Sequence, residues 1–309
     1  MRILVTGSSG WLGQTLVPRL RQEGHEVVGI DPVPSPTTRV VGSIADRALV
    51  RATMRDFRVE AVIHSGARHK PHVQTHAPSE FVAVNIQGTL NLLEESVSAD
   101  SKVDRFVFTS TTSLMVSNGI RAGRAGGATR AAWMTEELTP LHPRNIYGVT
   151  KLSAEHLCRM FHELHGLPVV VLRTARFFPE ADDMAHAIVQ SDENTKTNEF
   201  LFRRLSVADA AESHVVALDK ARELGFDTFI ICATTPFSRA DCEQLIVDAP
   251  AVVARYFPRY PELYARLGWT MFESIDRVYD STKAAARLGF VCRTGFREKL
   301  AELEVRREG

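Results

Sequence analysis

The chain has 309 residues, 44% of them apolar and 24% charged, and its 37 basic side chains balance its 37 acidic ones. Zero net charge gives no overall field that favours nucleic acid or an acidic membrane, so we expect neither as a partner. No apolar run approaches the roughly 20 residues of a membrane span, and a strand pattern rather than a signal peptide stands first. The four cysteines form no C-x-x-C motif. We therefore expect a cytoplasmic protein with free thiols.

The first predicted element is a strand over 2–5, followed by a glycine-rich turn and a helix over 11–22. Glycines permit a tight turn and a close approach of the backbone to a ligand, and the helix start offers N–H groups to a pyrophosphate. A plain strand-to-helix connector would use glycines in the same way, but this position after the first strand favours a dinucleotide. The predicted contacts are Gly7, Gly10, Trp11, Leu12 and Gly13.

The second predicted strand covers 25–30 and ends at Asp31, about 20 residues beyond the turn. A carboxylate at this point can hold the adenosine ribose hydroxyls, and it would repel a 2′-phosphate. Asp31 therefore favours NAD over NADP as the cofactor. The alternative is a solvated acid at the end of a strand.

Strands and helices continue to alternate along the chain. Further strands are predicted at 39–41, 59–64, 103–109, 169–174 and 226–233, and helices at 46–57, 79–98, 145–165 and 209–223. This order indicates a doubly wound parallel sheet of the Rossmann type, in the α/β class. We expect an NAD-binding Rossmann domain over 1–175, joined by strand 226–233, and a smaller substrate-binding region over 176–309.

Residues 117–135 interrupt the alternation, because four glycines lie there among Arg121, Arg124 and Arg130. The composition is typical of a mobile surface loop. Its arginines are either ordinary solvated charges or contacts to an anionic substrate.

Tyr147 and Lys151 are four positions apart on the predicted helix 145–165 and therefore share one face. A nearby cation and an oxidised nicotinamide would lower the tyrosine pKa from about 10 towards 7. The phenol could then take a proton from a carbinol, or return it to a carbonyl, while hydride moves at the same carbon. Packing on a helix surface is the alternative explanation of the pair.

Taken together, these motifs resemble the extended short-chain dehydrogenases/reductases, the NAD-dependent epimerase/dehydratase family that includes UDP-glucose 4-epimerase. Other segments also fall in family order. They are His64–Ala67, Asn85–Thr89, Leu172-Arg173, and Arg277–Lys283 followed by Leu288–Phe290.

The resemblance implies that Thr111 hydrogen-bonds the reacting oxygen, that Tyr147 is the acid/base and that Lys151 also holds the nicotinamide ribose. It also implies a homodimer, formed through the Tyr147 helix and the helix from Ser79. Further cofactor contacts are expected at Ser43, Ile44, Ser65, Gly66, Ala67, His69, Asn85, Thr109, Tyr147, Lys151 and Arg173.

The chain departs from the family at Thr112 and Ser113, where dehydratases carry an Asp-Glu pair. Without an acid to protonate a leaving hydroxyl, dehydration is disfavoured. Arg176 replaces a substrate-facing Asn, so the expected substrate contacts are Thr111, Thr112 and Arg176. Arginines of the second half are candidate binders of an anionic substrate, with ordinary surface roles as the alternative. They are Arg176, Arg203, Arg204, Arg239, Arg255 and Arg259.

We favour an NAD-dependent epimerase that acts on a secondary alcohol of a sugar or nucleotide sugar through a keto intermediate. The alternative is an NAD-dependent dehydrogenase or reductase of a sugar, sugar acid or other small alcohol, and a non-catalytic NAD-binding protein is a third reading. Four histidines lie within 64–76, but Pro71 interrupts their helical spacing, so we expect no metal. His64 is expected to be a hydrogen-bonded histidine at a strand end.

Overall fold

The computed structural model describes residues 1–179 and 190–305. Its strands are β1 (Arg2–Thr6), β2 (Glu26–Asp31), β3 (Val40–Val41), β4 (Ala61–His64), β5 (Arg105–Thr111), β6 (Ala132–Met134), β7 (Val169–Thr174), β8 (Phe226–Ile231) and β9 (Arg277–Tyr279). Seven of them form one sheet in the order β3-β2-β1-β4-β5-β7-β8, and the pairs from β3 to β7 are parallel. The chain is thus an α/β protein of the Rossmann type, as predicted.

The α-helices of the described residues are α1 (Trp11–Gln22), α2 (Arg47–Asp56), α3 (Pro78–Phe81), α4 (Gly88–Ser96), α5 (Asn118–Ala122), α6 (Ile146–His165), α7 (Asp192–Glu199), α8 (Val207–Leu224), α9 (Cys242–Leu245), α10 (Ala249–Tyr256), α11 (Tyr260–Leu267) and α12 (Phe296–Val305). Helices α1, α2, α6 and α8 begin and end within two residues of the predicted positions, whereas α5, α7 and α9 to α12 were not predicted. The single helix expected over 79–98 is wrong in one respect, because a π-helical segment at Val82–Gln87 separates α3 from α4.

Local capping fixes the start and end of α6, the longest described helix. The Asn145 side chain accepts a hydrogen bond from the Gly148 N–H at 2.9 Å. Gly166 ends the helix with a φ of +68°, which glycine adopts without steric cost. These two signals explain why the predicted bounds of this helix agree with the structure.

The chain divides into two compact units. The first comprises Met1–Met115, Pro143–Thr174 and Ala210–Phe229, and the second comprises Val116–His142, Ala175–Asp209 and Ile230–Gly309. Each has its own apolar core. Large buried side chains of the first core include Leu4, Leu92, Phe106 and Phe108, and those of the second include Leu201, Phe202, Leu245 and Tyr264.

The mobile loop expected over 117–135 is wrong, because this segment contains α5, a 3₁₀ turn and β6. The Ser117 hydroxyl caps α5 by accepting from the Ile120 N–H at 3.2 Å. Strand β6 pairs in parallel with β9, with Ala132 opposite Arg277. The partner strand lies so far along the sequence that the local glycine content gave no sign of it.

Candidate active site

Glycines bring the turn after β1 against the end of β4. Gly7 has a φ of +72°, and a Cβ built on it would lie 2.8 Å from the Gly66 Cα. A Cβ on Gly13 would lie 2.3 Å from the Gly7 carbonyl oxygen. Helix α1 has no side-chain cap at Gly10, so the N–H groups of its first turn are available to an anion. The turn therefore fits a pyrophosphate.

A buried histidine holds the two strand ends in this arrangement. The Thr6 hydroxyl lies 2.7 Å from His64 Nδ1 and accepts from the Gly66 N–H at 2.9 Å. His64 Nε2 lies 2.8 Å from the Thr89 hydroxyl. Burial, followed by the charge of Lys151, holds the pKa of His64 well below its usual value, so the ring is neutral. The prediction of a hydrogen-bonded strand-end histidine is confirmed.

Asn85 lies in the π-helical segment and ties the loop after β4 to α6. Its side-chain oxygen accepts from the Arg68 N–H at 2.8 Å. Its side-chain nitrogen donates to the Arg68 carbonyl at 2.9 Å and to the Thr150 hydroxyl at 3.0 Å. Asn85 is 1% exposed, and these bonds occupy both of its amide atoms. The side chain therefore positions the backbone beyond Ser65–Ala67.

Asp31 lies beside the turn, as the prediction of a ribose-binding carboxylate requires. It accepts from the Val33 N–H at 2.8 Å and from the Ser9 N–H at 3.3 Å. Both bonds hold the carboxylate in one orientation at the end of β2. Trp11, at the first position of α1, is 46% exposed, so its indole is open to solvent beside the turn.

The connection after β3 contains two further predicted cofactor contacts, Ser43 and Ile44. The Ser43 hydroxyl accepts from the Ala45 N–H at 3.2 Å, and Ile44 is buried. The Asn91 side chain donates to the Ile44 carbonyl at 2.9 Å. In the loop after β4, the His69 N–H donates to His72 Nδ1 at 3.0 Å.

Thr111, Tyr147 and Lys151 are brought together between β5 and α6. The Thr111 hydroxyl lies near the Tyr147 phenol, where it acts to lower the pKa of that group. Thr111 also accepts from the Ser113 N–H at 3.1 Å. The Lys151 ammonium nitrogen lies 3.9 Å from the centroid of the Phe108 ring, where it is 2% exposed. A phenol, a hydroxyl and an amine thus share one buried site.

Burial controls the charge of these groups. It raises the pKa of Tyr147 to about 12, although the Thr111 hydroxyl acts in the opposite direction. It lowers the pKa of Lys151 to about 7, although Cys158 and Glu155 favour the ammonium form. In the protein alone, desolvation of both side chains thus outweighs the effect of the lysine on the tyrosine pKa. The shift towards 7 that is expected beside an oxidised nicotinamide stays a prediction.

A buried ion pair lies next to this site. Arg173 donates to both carboxylate oxygens of Glu155, with its Nη2 2.7 Å from Oε2, and Ser110 donates to the same carboxylate. Arg173 was predicted as a cofactor contact. In the structure, its Nε and Nη2 donate hydrogen bonds to Glu155 of α6.

Two threonines at the end of β5 and just beyond it are also bonded within the protein. The Thr109 hydroxyl lies 2.7 Å from His214 Nε2, and His214 Nδ1 lies 2.7 Å from the Ala210 carbonyl oxygen. Burial lowers the pKa of His214 to about 4, so it stays neutral. Thr112 donates to the Thr174 carbonyl at 3.4 Å.

All predicted catalytic and cofactor residues lie in the first unit, whereas Arg176 lies in the second. There, Arg176, Arg203 and Arg204 contact the buried carboxylate of Glu199 at 3.8, 2.9 and 2.6 Å. The other proposed anion binders also have partners within the protein. Arg239 lies over Trp133, Arg255 pairs with Asp241, and Arg259 pairs with Glu304.

The sequence analysis missed the residues that support the site, namely Ser110, Thr150, Glu155 and His214. One signal was present, because Glu155 follows Lys151 by four positions and continues the same helix face. The others contact the site only through tertiary folding.

Within residues 1–179 and 190–305, no group of three or more His, Cys, Asp or Glu side chains is arranged to hold a metal. In the same ranges, no helix has the length and apolar character needed to cross a bilayer. The four cysteines form no disulfide.

The profile of the family described as NAD dependent epimerase/dehydratase matches residues 3–232. The chain belongs to this family. Its members are NAD-dependent enzymes, so the protein is an enzyme and NAD is its cofactor. The open N–H groups of α1, the glycine approach and the Asp31 carboxylate fit that cofactor.

Two curated relatives and one solved structure illustrate the similarity. A UDP-glucose 4-epimerase from Azospirillum brasilense is 27% identical over 75% of this chain and 72% of its own. A dTDP-glucose 4,6-dehydratase from Xanthomonas campestris is 29% identical over 54% of this chain, which spans half of that relative. The fold is similar to that of a UDP-glucuronic acid 4-epimerase from Bacillus cereus, solved with UDP-glucuronic acid and NAD, with 22% identity, 98% coverage of both chains and a TM-score of 0.66.

Proposed function

We propose that the protein is an NAD-dependent epimerase that inverts a secondary alcohol of a sugar or nucleotide sugar through a keto intermediate. The observation that carries the proposal is the burial of Thr111, Tyr147 and Lys151 at one site, with Lys151 one helical turn from Tyr147 on α6. The relatives act on UDP- and dTDP-linked sugars, which supports a nucleotide sugar as substrate.

In the proposed reaction, Tyr147 takes the proton of the substrate hydroxyl as that carbon is oxidised, and returns it when the carbonyl is reduced. Thr111, which acts to lower the pKa of Tyr147, would donate a hydrogen bond to the same substrate oxygen. The Lys151 ammonium stabilises the phenolate electrostatically. Bound NAD supplies a hydride acceptor that later serves as the donor to the opposite face of that carbon.

Neutral side chains at positions 112 and 113 argue against dehydration. Thr112 is 5% exposed and donates to a backbone carbonyl, and neither Thr112 nor Ser113 can protonate a leaving hydroxyl at neutral pH. This feature separates the chain from the dehydratases to which it is similar.

The first experiment incubates the protein with NAD and a panel of UDP- and dTDP-sugars, their uronic acid forms, and free sugar acids. We expect an epimer of one panel member by NMR, with no net formation of NADH. Steady NADH formation with an oxidised product and no epimer would show a dehydrogenase instead.

The second experiment replaces Tyr147 by Phe. Loss of the acid/base is expected to lower kcat by about 10²- to 10⁴-fold, as is typical of general acid–base groups. Affinity for NAD, measured by calorimetry, should stay within about twofold, since the glycine turn and Asp31 are unchanged. Unchanged turnover in this variant would remove Tyr147 from the mechanism.

We also propose that the protein forms a homodimer through α6 and the helical segments from Pro78 to Ser96. Val149, Met160 and Leu164 on α6 and Val82 in the π-helical segment are all more than 40% exposed, although they are large and apolar. Sedimentation equilibrium should give twice the chain mass, and a monomer mass at micromolar concentration would contradict the proposal.

A further inference from the structure

A buried pair of opposite charges lies behind Lys151, and the proposed reaction does not use it. Glu155 follows Lys151 by one turn of α6, and Arg173 lies on β7 directly opposite Ser110 of β5 in the sheet register. The side chains of Glu155 and Arg173 are each 8% exposed. The Glu155 carboxylate accepts two bonds from the Arg173 Nε, one from its Nη2 and one from the Ser110 hydroxyl.

We infer that Glu155, held in place by Arg173 and Ser110, is a positioning residue that favours the ammonium form of Lys151 over the neutral amine. Lys151 is 2% exposed and lies over the Phe108 ring, so water contributes little to the solvation of its charge. A fixed carboxylate one turn away replaces part of that solvation. Hydrogen bonds from the Arg173 guanidinium and the Ser110 hydroxyl fix the orientation of this carboxylate.

The other groups around Lys151 do not supply an anion. On α6 these are Tyr147 and Cys158, and burial raises the pKa of both, so they are neutral near pH 7. From β4, His64 is also neutral, because burial lowers its pKa. From β7, Arg173 adds a positive charge that is attached to Glu155. Cys158 and Glu155 both favour the Lys151 ammonium, and Glu155 is the carboxylate among these facing groups.

The guanidinium itself is oriented by this one carboxylate. Arg173 Nε and Nη2 are bonded to Glu155, whereas its Nη1 is buried and has no hydrogen-bond partner within the described residues. Removal of either charged group therefore changes the electrostatic field at Lys151 in a predictable direction. Loss of Glu155 lowers the pKa of Lys151, and loss of Arg173 raises it.

The test measures the titration of Lys151 directly, by NMR of protein labelled with ¹³C at the lysine ε carbons. Lys151→Met identifies the signal. We expect Glu155→Gln to lower the pKa of Lys151 by about one unit or more, and Arg173→Gln to raise it, as for single charges at short range. Ser110→Ala keeps both charges and should shift the titration by less than either.

Shifts of opposite sign in the pKa of Lys151 support the inference. A purely structural role of the ion pair would shift this pKa in the same direction in both variants. Shifts of equal sign, or no shift, would overturn it. If Glu155→Gln does not fold, Arg173→Gln alone decides, since its shift must be upward. Folding of each variant is checked by thermal melting.

The inference rests on the proposed function only where it gives Lys151 a role in turnover. With substrate, Glu155→Gln should lower kcat at pH 7 about fivefold, because a pKa that falls from about 7 to about 6 reduces the ammonium fraction from one half to about one eleventh. KM should stay within about twofold. The titration needs no turnover. An inactive wild-type protein with opposite shifts would therefore reject the proposed function and retain this inference.

Discussion

The two units bury charged groups in different ways. In the first, Lys151 and Glu155 are spaced along one face of α6, and Arg173 contacts Glu155 from strand β7. In the second, Arg203 and Arg204 follow Glu199 at the end of α7, and Arg176 reaches the same carboxylate from another segment. Both sites hold more cationic than anionic side chains around one buried glutamate.

The two sites differ in the kind of helix that carries the buried charged residues. Helix α6 is amphipathic and packs against the sheet. The positions of its buried charged residues can therefore be predicted from their spacing along one face. Helix α7 has the sequence Asp-Glu-Asn-Thr-Lys-Thr-Asn-Glu, and five of these polar residues are nevertheless buried. Hydrogen bonds hold it, such as those from Asn194 and Asn198 to the Thr270 carbonyl. A polar helix of this kind depends on satisfied partners rather than on apolar contacts.

The largest effect on stability is expected for Glu199→Gln. The change removes the carboxylate that Arg176, Arg203 and Arg204 share, at a residue that is 1% exposed. Breaking a buried ion pair by removing one partner costs about 3–5 kcal/mol, so the free energy of unfolding should fall by that amount. Urea denaturation followed by circular dichroism measures it.

Glu262→Gln is the matched control for this change. Glu262 and Arg266 have the same four-residue spacing as Glu199 and Arg203, but their side chains are 71% and 41% exposed. An exposed pair of this spacing contributes about 0.3–0.5 kcal/mol. Equal losses of unfolding free energy in the two variants would mean that burial of Glu199 adds nothing to the stability that its ion pairs provide.

A second prediction concerns the pH dependence of stability in the first unit. The pKa of Lys151 is about 7 in the folded protein, against 10.5 when it is exposed. Between these values the unfolded chain binds more protons, so this group makes stability increase as pH rises from about 7 to about 10.5. Lys151→Met removes that dependence and is expected to stabilise the protein at pH 7 by a few kcal/mol, at about 1.36 per pKa unit.

Thermal melting at several pH values checks this expectation. The difference between Lys151→Met and the wild type should be largest below about pH 7, fall as pH rises, and vanish above about pH 10.5. A stability difference that stays constant with pH would show that burial does not lower the pKa of Lys151. The same variant should be inactive, so stability and activity change in opposite directions at this position.

Local rules in the sequence predicted much of the first unit. Strand alternation, the glycine spacing and the Tyr147–Lys151 spacing act over a few residues, and the sheet follows from them. The grouping of Thr111 with Tyr147 and Lys151 was implied by the family resemblance. The pKa values did not follow, because the cost of burying Tyr147 depends on how completely the surrounding elements exclude water. Strand β6 and helix α7 were missed because one requires the distant strand β9 and the other has no apolar face.

The smallest predicted effect compares two helix caps, one in each unit. Ser117 caps α5 and Asn145 caps α6, each through a side-chain oxygen that accepts from an N–H three residues on. Replacing either by Ala should cost about 1 kcal/mol, the usual value of such a cap. Amide exchange should accelerate at 118–122 in Ser117→Ala and at the start of α6 in Asn145→Ala. If Ser117→Ala changed neither stability nor exchange, the ordered segment would not depend on its cap, and its order would rest on the pairing of β6 with β9.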